Sequence, residues 1–255
     1  MEIFIVCLVA FLASLLTFYS GFGLGTLLLP VFSLFYGVQI AVLLTALVHF
    51  FNNGFKAILV WKNANKSLAL KFSLFAIPAG VVGMNLLGYL GDLEILFDYT
   101  IDGHGFFIDP INLTVGLMMV VFGILELSKR FQALNIDLKW LPLGGILSGF
   151  FGGLSGHQGA LRTVFLIRAG LSREAFIATG IFIACAIDLT RIPYYMYVSN
   201  SGELTYTTLL PAVLAAFGGA WLGNRYIGKV QIAWIRVLVA VFLLLSGSLI
   251  ALGIL

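Results

Sequence analysis

Charge is what this sequence has least of. Asp, Glu, Lys and Arg make up 10% of its 255 residues and hydrophobic residues 61%, against about 25% and roughly 45–50% in soluble domains. With a mean hydropathy of +1.08, too little polar surface exists to cover a water-facing globule, so a polytopic membrane protein in contact with the lipid bilayer is implied. Cysteine is scarce as well. Cys7 and Cys185 both fall inside apolar segments, without metal-ligand spacing, and read as small buried hydrophobes. No metal centre and no cofactor is expected. The net charge of +3 comes from scattered basic residues, which does not suggest nucleic-acid binding, and no nucleic-acid partner is expected. Met1-Glu2-Ile3 lacks the basic flank of a signal peptide, so the first segment is expected to be retained.

Glycine, by contrast, is plentiful and placed twice in the same way. Gly21-Phe-Gly-Leu-Gly-Thr-Leu-Leu-Leu-Pro30 and Gly153-Leu-Ser-Gly-His-Gln-Gly-Ala-Leu-Arg162 each interrupt a hydrophobic segment. Each restarts as a short apolar piece ending at Gly37 or Gly170 and runs into a long helical pattern. Gly25 to Gly159, Ala41 to Ala175 and Thr45 to Thr179 share one offset, which marks an internal duplication. Paired, glycine-broken apolar segments at matching positions of two halves point to a transporter's binding site.

Taken in order, residues 3–19 form an apolar helix and the glycine run ends it. The piece 26–36 is about 16 Å long as a helix, too short for a hydrocarbon core of about 30 Å, so the two pieces read as a hairpin turning within the membrane or as a pair of tilted spans. Residues 38–61 cross to Lys62 and Lys66, 67–90 cross back, and 111–128 return to Lys129 and Arg130. Asp92, Glu94, Asp98, Asp102 and Asp109 share one loop with no Lys or Arg. The second half repeats the order: 140–154 enter, 160–169 return towards Arg168 and Arg173, and 171–198, 204–221 and 232–255 cross. The Lys/Arg distribution places the basic ends in the cytoplasm and both termini outside, which makes the two repeats inverted. The expected fold is an all-α polytopic membrane protein of two inverted repeats, each a glycine-broken helical hairpin plus about three transmembrane helices. Its parts are a first repeat over 1–128, a cytoplasmic linker over 129–138 and a second repeat over 139–255.

Polar residues then fall on one face of each long helix. His49, Asn52, Asn53 and Lys56 lie at i, i+3, i+4 and i+7, with Thr45 one turn earlier. In the matching helix Thr179, Asp188 and Arg191 form the stripe, the last two spaced to pair. A charge at mid-bilayer costs about 2.5–3.5 kcal/mol on insertion scales, so these groups must face a bundle interior or a watery cavity. Arg162 stands in the first turn of the short returning helix, where free N–H groups and the positive dipole end already favour an anion. His157 and Gln158 at the break would add donors, and Gly25 and Gly159 would let a ligand approach the backbone. Thr45, Asn52, Asn53 and Thr179 would supply neutral hydrogen bonds, Asp188 would hold Arg191, and His49 would carry a coupling proton. The expected partner is a small anionic substrate.

At these residues the chain resembles the sulfite exporter TauE/SafE family of membrane transporters over nearly its whole length. The pattern is Gly-x-Gly-x-Gly with Pro30, Ala41 and Thr45, then Gly153 to Arg162 with Gly170, Ala175 and Thr179. The second copy departs at His157-Gln158, where many members carry another glycine. The resemblance implies an exporter or permease of the bacterial inner membrane for sulfur-containing anions such as sulfite or organosulfonates, and no enzyme.

Two other classes compete. Gly153-Leu-Ser155-Gly and the His49-to-Asn53 spacing match motifs of an intramembrane serine protease of the rhomboid type, but no histidine follows His157 to serve as general base. A non-transporting membrane scaffold leaves the duplication and Arg162 without a purpose.

Overall fold

The structure is a computed structural model that describes residues 1–20, 23–134, 136–198, 206–225 and 232–255. Of the segments read above, Gly21 and Phe22 of the first glycine run, Asn135 of the 129–138 linker and the first two residues of 204–221 lie outside the described residues. The helices are α1 (Glu2–Ser20), α2 (Leu24–Ser33), α3 (Val38–Val60), α4 (Lys66–Gly91), α5 (Pro110–Leu127), α6 (Lys129–Gln132), α7 (Leu141–Ser155), α8 (Gly159–Leu166), α9 (Arg173–Val198), α10 (Tyr206–Arg225) and α11 (Ile232–Ala251). Five described stretches, built on α3, α4, α5, α9 and α10, are long and apolar enough to cross a membrane. Large side chains point outward along them: Leu70, Leu74, Leu210 and Leu214 are each more than half exposed, as a lipid-facing surface requires. The protein is an all-α integral membrane protein.

Local signals set the helix ends. Asn65 caps α4 by accepting from the Leu68 N–H at 3.0 Å, and Asp109 caps α5 by accepting from the Asn112 N–H at 2.6 Å, with Pro110 in the first turn. At the breaks the chain adopts a left-handed conformation that only glycine tolerates cheaply: Gly23 has φ +108° and Gly156 φ +84°. Because Gly23 serves as the N-cap, α2 starts at Leu24, ahead of the expected Thr26, and Gly25 sits in its first turn.

Small residues decide which helices touch. On α7, Gly145, Gly149 and Gly153 recur every four residues and meet Phe72, Ala76 and Gly80 of α4 in the same order, so these two helices run parallel in backbone contact. On α10, Gly219 meets Phe11 and Gly223 meets Phe18 of α1, again parallel. By contrast α5 and α11 run antiparallel, Gly116 facing Ala251 and Gly123 facing Ala240. So do α3 and α9, tied at His49 to Asp188 and, beyond the end of α3, at Asn65 to Thr179. Exchanging the halves maps α4 on α7 onto α10 on α1, and the other two pairings onto themselves. The halves are therefore interleaved, with one large hydrophobic core running through both.

The acidic loop contains structure the sequence reading left out. Strands β1 (Phe97–Ile101) and β2 (His104–Ile108) form an antiparallel hairpin. Its turn is Asp102-Gly103 with φ of +50° and +81°, the left-handed pair that a two-residue hairpin demands. Tyr99 stacks between Phe97 and Phe106, and its hydroxyl donates to the Leu252 carbonyl at 2.6 Å, fastening the end of α11 to the hairpin. At the same end of the bundle Glu2 accepts from Tyr36 and Thr208.

Candidate functional site

The two glycine breaks meet. A Cβ on Gly25 would stand 3.8 Å from the Gly156 carbonyl oxygen, 3.6 Å from Thr45 and 3.9 Å from the His49 ring. Depth follows from the helices around them. Gly153 packs on Gly80, His49 lies midway along α3, and Asp188 lies just past the middle of α9. The junction is thus at mid-length of three long helices.

A buried ion cluster supports it. Asp188 is fully buried, and one oxygen receives Arg191 Nε at 2.9 Å and Nη2 at 2.7 Å. Its other oxygen is 2.6 Å from His49 Nδ1, and Asn53 Nδ2 lies 3.2 Å from the same ring. Arg191 Nη1 donates to the Gly152 carbonyl at 3.0 Å, and Tyr195 donates to the Gly153 carbonyl. Two of the last carbonyls of α7 thus take donors from α9, the one at Gly152 in addition to the Gly156 N–H at 2.9 Å. Asp188 and Arg191 form the expected pair; the link to His49, across the halves, is an addition.

Beside this cluster is a narrow recess with a cavity volume of about 20 Å³, lined by Gly25, Thr26, His49, His157, Gln158, Gly159 and Arg162 among others. Arg162 is 4% exposed. Its Nη1 reaches Gln158 Oε1 at 3.4 Å, Gln158 Nε2 reaches Asp188 at 3.4 Å, and the Gln158 carbonyl accepts from Ser148 at 2.9 Å. Gly180 of α9 makes room, since a Cβ there would stand 3.3 Å from Arg162 Nε. His157 is held by Ser155 at 2.8 Å on Nδ1 and by stacking on Phe122, while its buried Nε2 has no hydrogen-bond partner among the described residues. Nor does the buried Thr45 hydroxyl have one among them. Two short helices, α2 and α8, begin at this recess, presenting first-turn N–H groups to it.

Not every residue singled out in the sequence reaches this place. Thr179 accepts the Asn65 N–H at 2.9 Å, at the far end of α3. Asn52 faces away, 3.0 Å from the Ser14 hydroxyl, and with its amide assigned so that oxygen faces a donor it donates to the Ala216 carbonyl at 3.0 Å and accepts from Lys56 at 3.2 Å. One charged lining residue was missed: Glu126 of α5, 5% exposed, borders the recess and, with Arg236 of α11, a neighbouring one. Its signal was a lone carboxylate inside an apolar run, overlooked because Lys129 and Arg130 follow so closely.

The protease motif comes together only in part. Ser155 and His157 do approach, but among the described residues no carboxylate stands behind the imidazole and its other nitrogen has no partner. His49 and Asn53 instead engage Asp188. No orienting acid for a triad is assembled among the described residues.

Among curated proteins, none matches the chain. A sequence model of the family described as sulfite exporter TauE/SafE matches residues 6–250, which takes in both breaks, the ion cluster and every helix that forms the recess. The chain belongs to the sulfite exporter TauE/SafE family of membrane transporters.

Proposed function

We propose that the protein is a secondary transporter that moves a small sulfur-containing anion, such as sulfite or an organosulfonate, through the junction of its two glycine breaks. The observation that carries this is Arg162: a guanidinium 4% exposed, in a recess where two short helices begin. Buried cations of this kind in membrane proteins face a pathway or a ligand, and the planar fork suits the oxygens of sulfite or a sulfonate. The unpartnered His157 Nε2 and Thr45 hydroxyl supply further hydrogen-bonding capacity. Gln158 would align Arg162, Asp188 would fix Arg191 and the end of α7, and His49 would exchange the coupling proton.

The antiparallel run of α3 against α9 and of α5 against α11 supports two inverted repeats, with halves at 1–128 and 139–255 joined by a cytoplasmic linker. In such folds the substrate site lies near the bilayer midplane between the repeats. The basic ends of the helices would face the cytoplasm of a bacterial cell and both termini the outside. Uptake of labelled sulfite, sulfoacetate and thiosulfate into proteoliposomes tests the transport reading; no flux of any of the three above empty vesicles would overturn it.

A further inference from the structure

A second recess, as narrow as the first with a cavity volume of about 20 Å³, shares a wall with it. His49 lines both, and Thr17, Leu24, Asn53, Lys56 and Ile181 help to enclose it. Lys56 is two turns beyond His49 on the same face of α3, towards the basic end of the bundle that carries Lys62 and Lys66. It is 4% exposed, so it does not snorkel to the surface as a lysine near a helix end usually does.

Its surroundings are neutral. The ammonium donates to the Asn52 amide oxygen at 3.2 Å and lies 5.4 Å from the centre of the Phe18 ring. Among the described residues no carboxylate comes within 4.0 Å of it, the ion pairs being those of Asp188 and Asp137. An ammonium has three N–H donors, and one amide oxygen with a ring face leaves capacity for an anion. Asn53, on the wall between the recesses, and Thr17 add neutral polar groups.

On the anion-transport reading above, we infer that Lys56 is the centre of a second station for the same small oxyanion, between the Arg162 recess and the basic end of the bundle. The two stations are chemically different. Arg162 offers a rigid fork held by Gln158, whereas Lys56 offers a rotatable point charge, suited to an ion in passage. His49 and Asn53 stand between them, so the anion would pass the residue that carries the proton.

Equilibrium dialysis of radiolabelled sulfite against the purified full-length protein in detergent tests this. The parent should bind two anions per chain. Lys56→Gln should weaken one of the two by at least about tenfold, the loss of one charged hydrogen bond, and leave the other within about twofold. Lys56→Arg should recover part of the loss, and Arg162→Gln should show the opposite pattern. A parent that binds a single, Arg162-dependent anion overturns the second station while leaving the transport reading intact, and so does Lys56→Gln with both stations unchanged. A parent that binds no sulfite overturns both. The parent's stoichiometry is informative even if a variant misfolds.

Discussion

His49 Nδ1 on α3 lies 2.6 Å from Asp188 Oδ2 on α9, joining the two halves of the chain by a contact at mid-length of both helices. Asp188 thus serves two partners, since its other oxygen neutralises the buried Arg191. Asp188→Asn should leave Arg191 without its counter-charge and cost about 3–5 kcal/mol, read as a lower thermal midpoint in detergent and reduced yield. Adding Arg191→Met should recover much of the loss. A single variant as stable as the parent would show that the pair is not structural.

The same contact makes His49 the expected coupling residue. His49→Gln keeps a hydrogen-bonding side chain but cannot take up a proton, so anion binding should persist while transport loses its response to an imposed proton gradient. The charged or titratable groups around it are Asp188, Arg162, His157 and Glu126 on the recess side and Lys56 on the other. An unchanged response to the gradient would return His49 to a packing role and shift attention to Glu126.

Helix contacts give a prediction with an internal control. A Cβ on Gly149 would fall on the Ala76 backbone, whereas one on Gly54 meets nothing within 4 Å. Gly149→Ala should destabilise by about 1–3 kcal/mol through overpacking, and Gly54→Ala should be neutral or stabilising by up to about 1 kcal/mol. Thermal unfolding of both variants in one detergent decides; equal midpoints would contradict the parallel packing of α7 on α4.

Orientation follows from charge. Single cysteines placed in the 129–138 linker of a cysteine-free background should react with membrane-impermeant reagent only from the cytoplasmic side, and those at either terminus only from outside. A linker labelled from outside would reverse the topology.

Most of the long helices were legible because apolar length and flanking Lys or Arg are local signals, and the stripe at His49, Asn53 and Lys56 was legible because a helix repeats every 3.6 residues. The partners of that stripe were not. Asp188 meets His49 only because α3 packs antiparallel on α9, and Thr179 and Asn52 share the polar faces yet turn to other neighbours. The hairpin at Asp102-Gly103 carries a readable turn signal, but the five acidic residues around it read only as one loop free of Lys and Arg. Glu126 was passed over as the end of a span, although a carboxylate so placed is buried against the recess.

Arg162 offers the most direct measurement. Binding of sulfite to purified parent, Arg162→Lys and Arg162→Gln should weaken in that order, because Lys keeps the charge but loses the planar fork and Gln loses both. The last step should cost at least about 1.5–3 kcal/mol, the contribution of a charged hydrogen bond, while stability without ligand changes much less. Arg162→Gln binding sulfite as tightly as the parent would contradict an anion site at the junction of the two breaks.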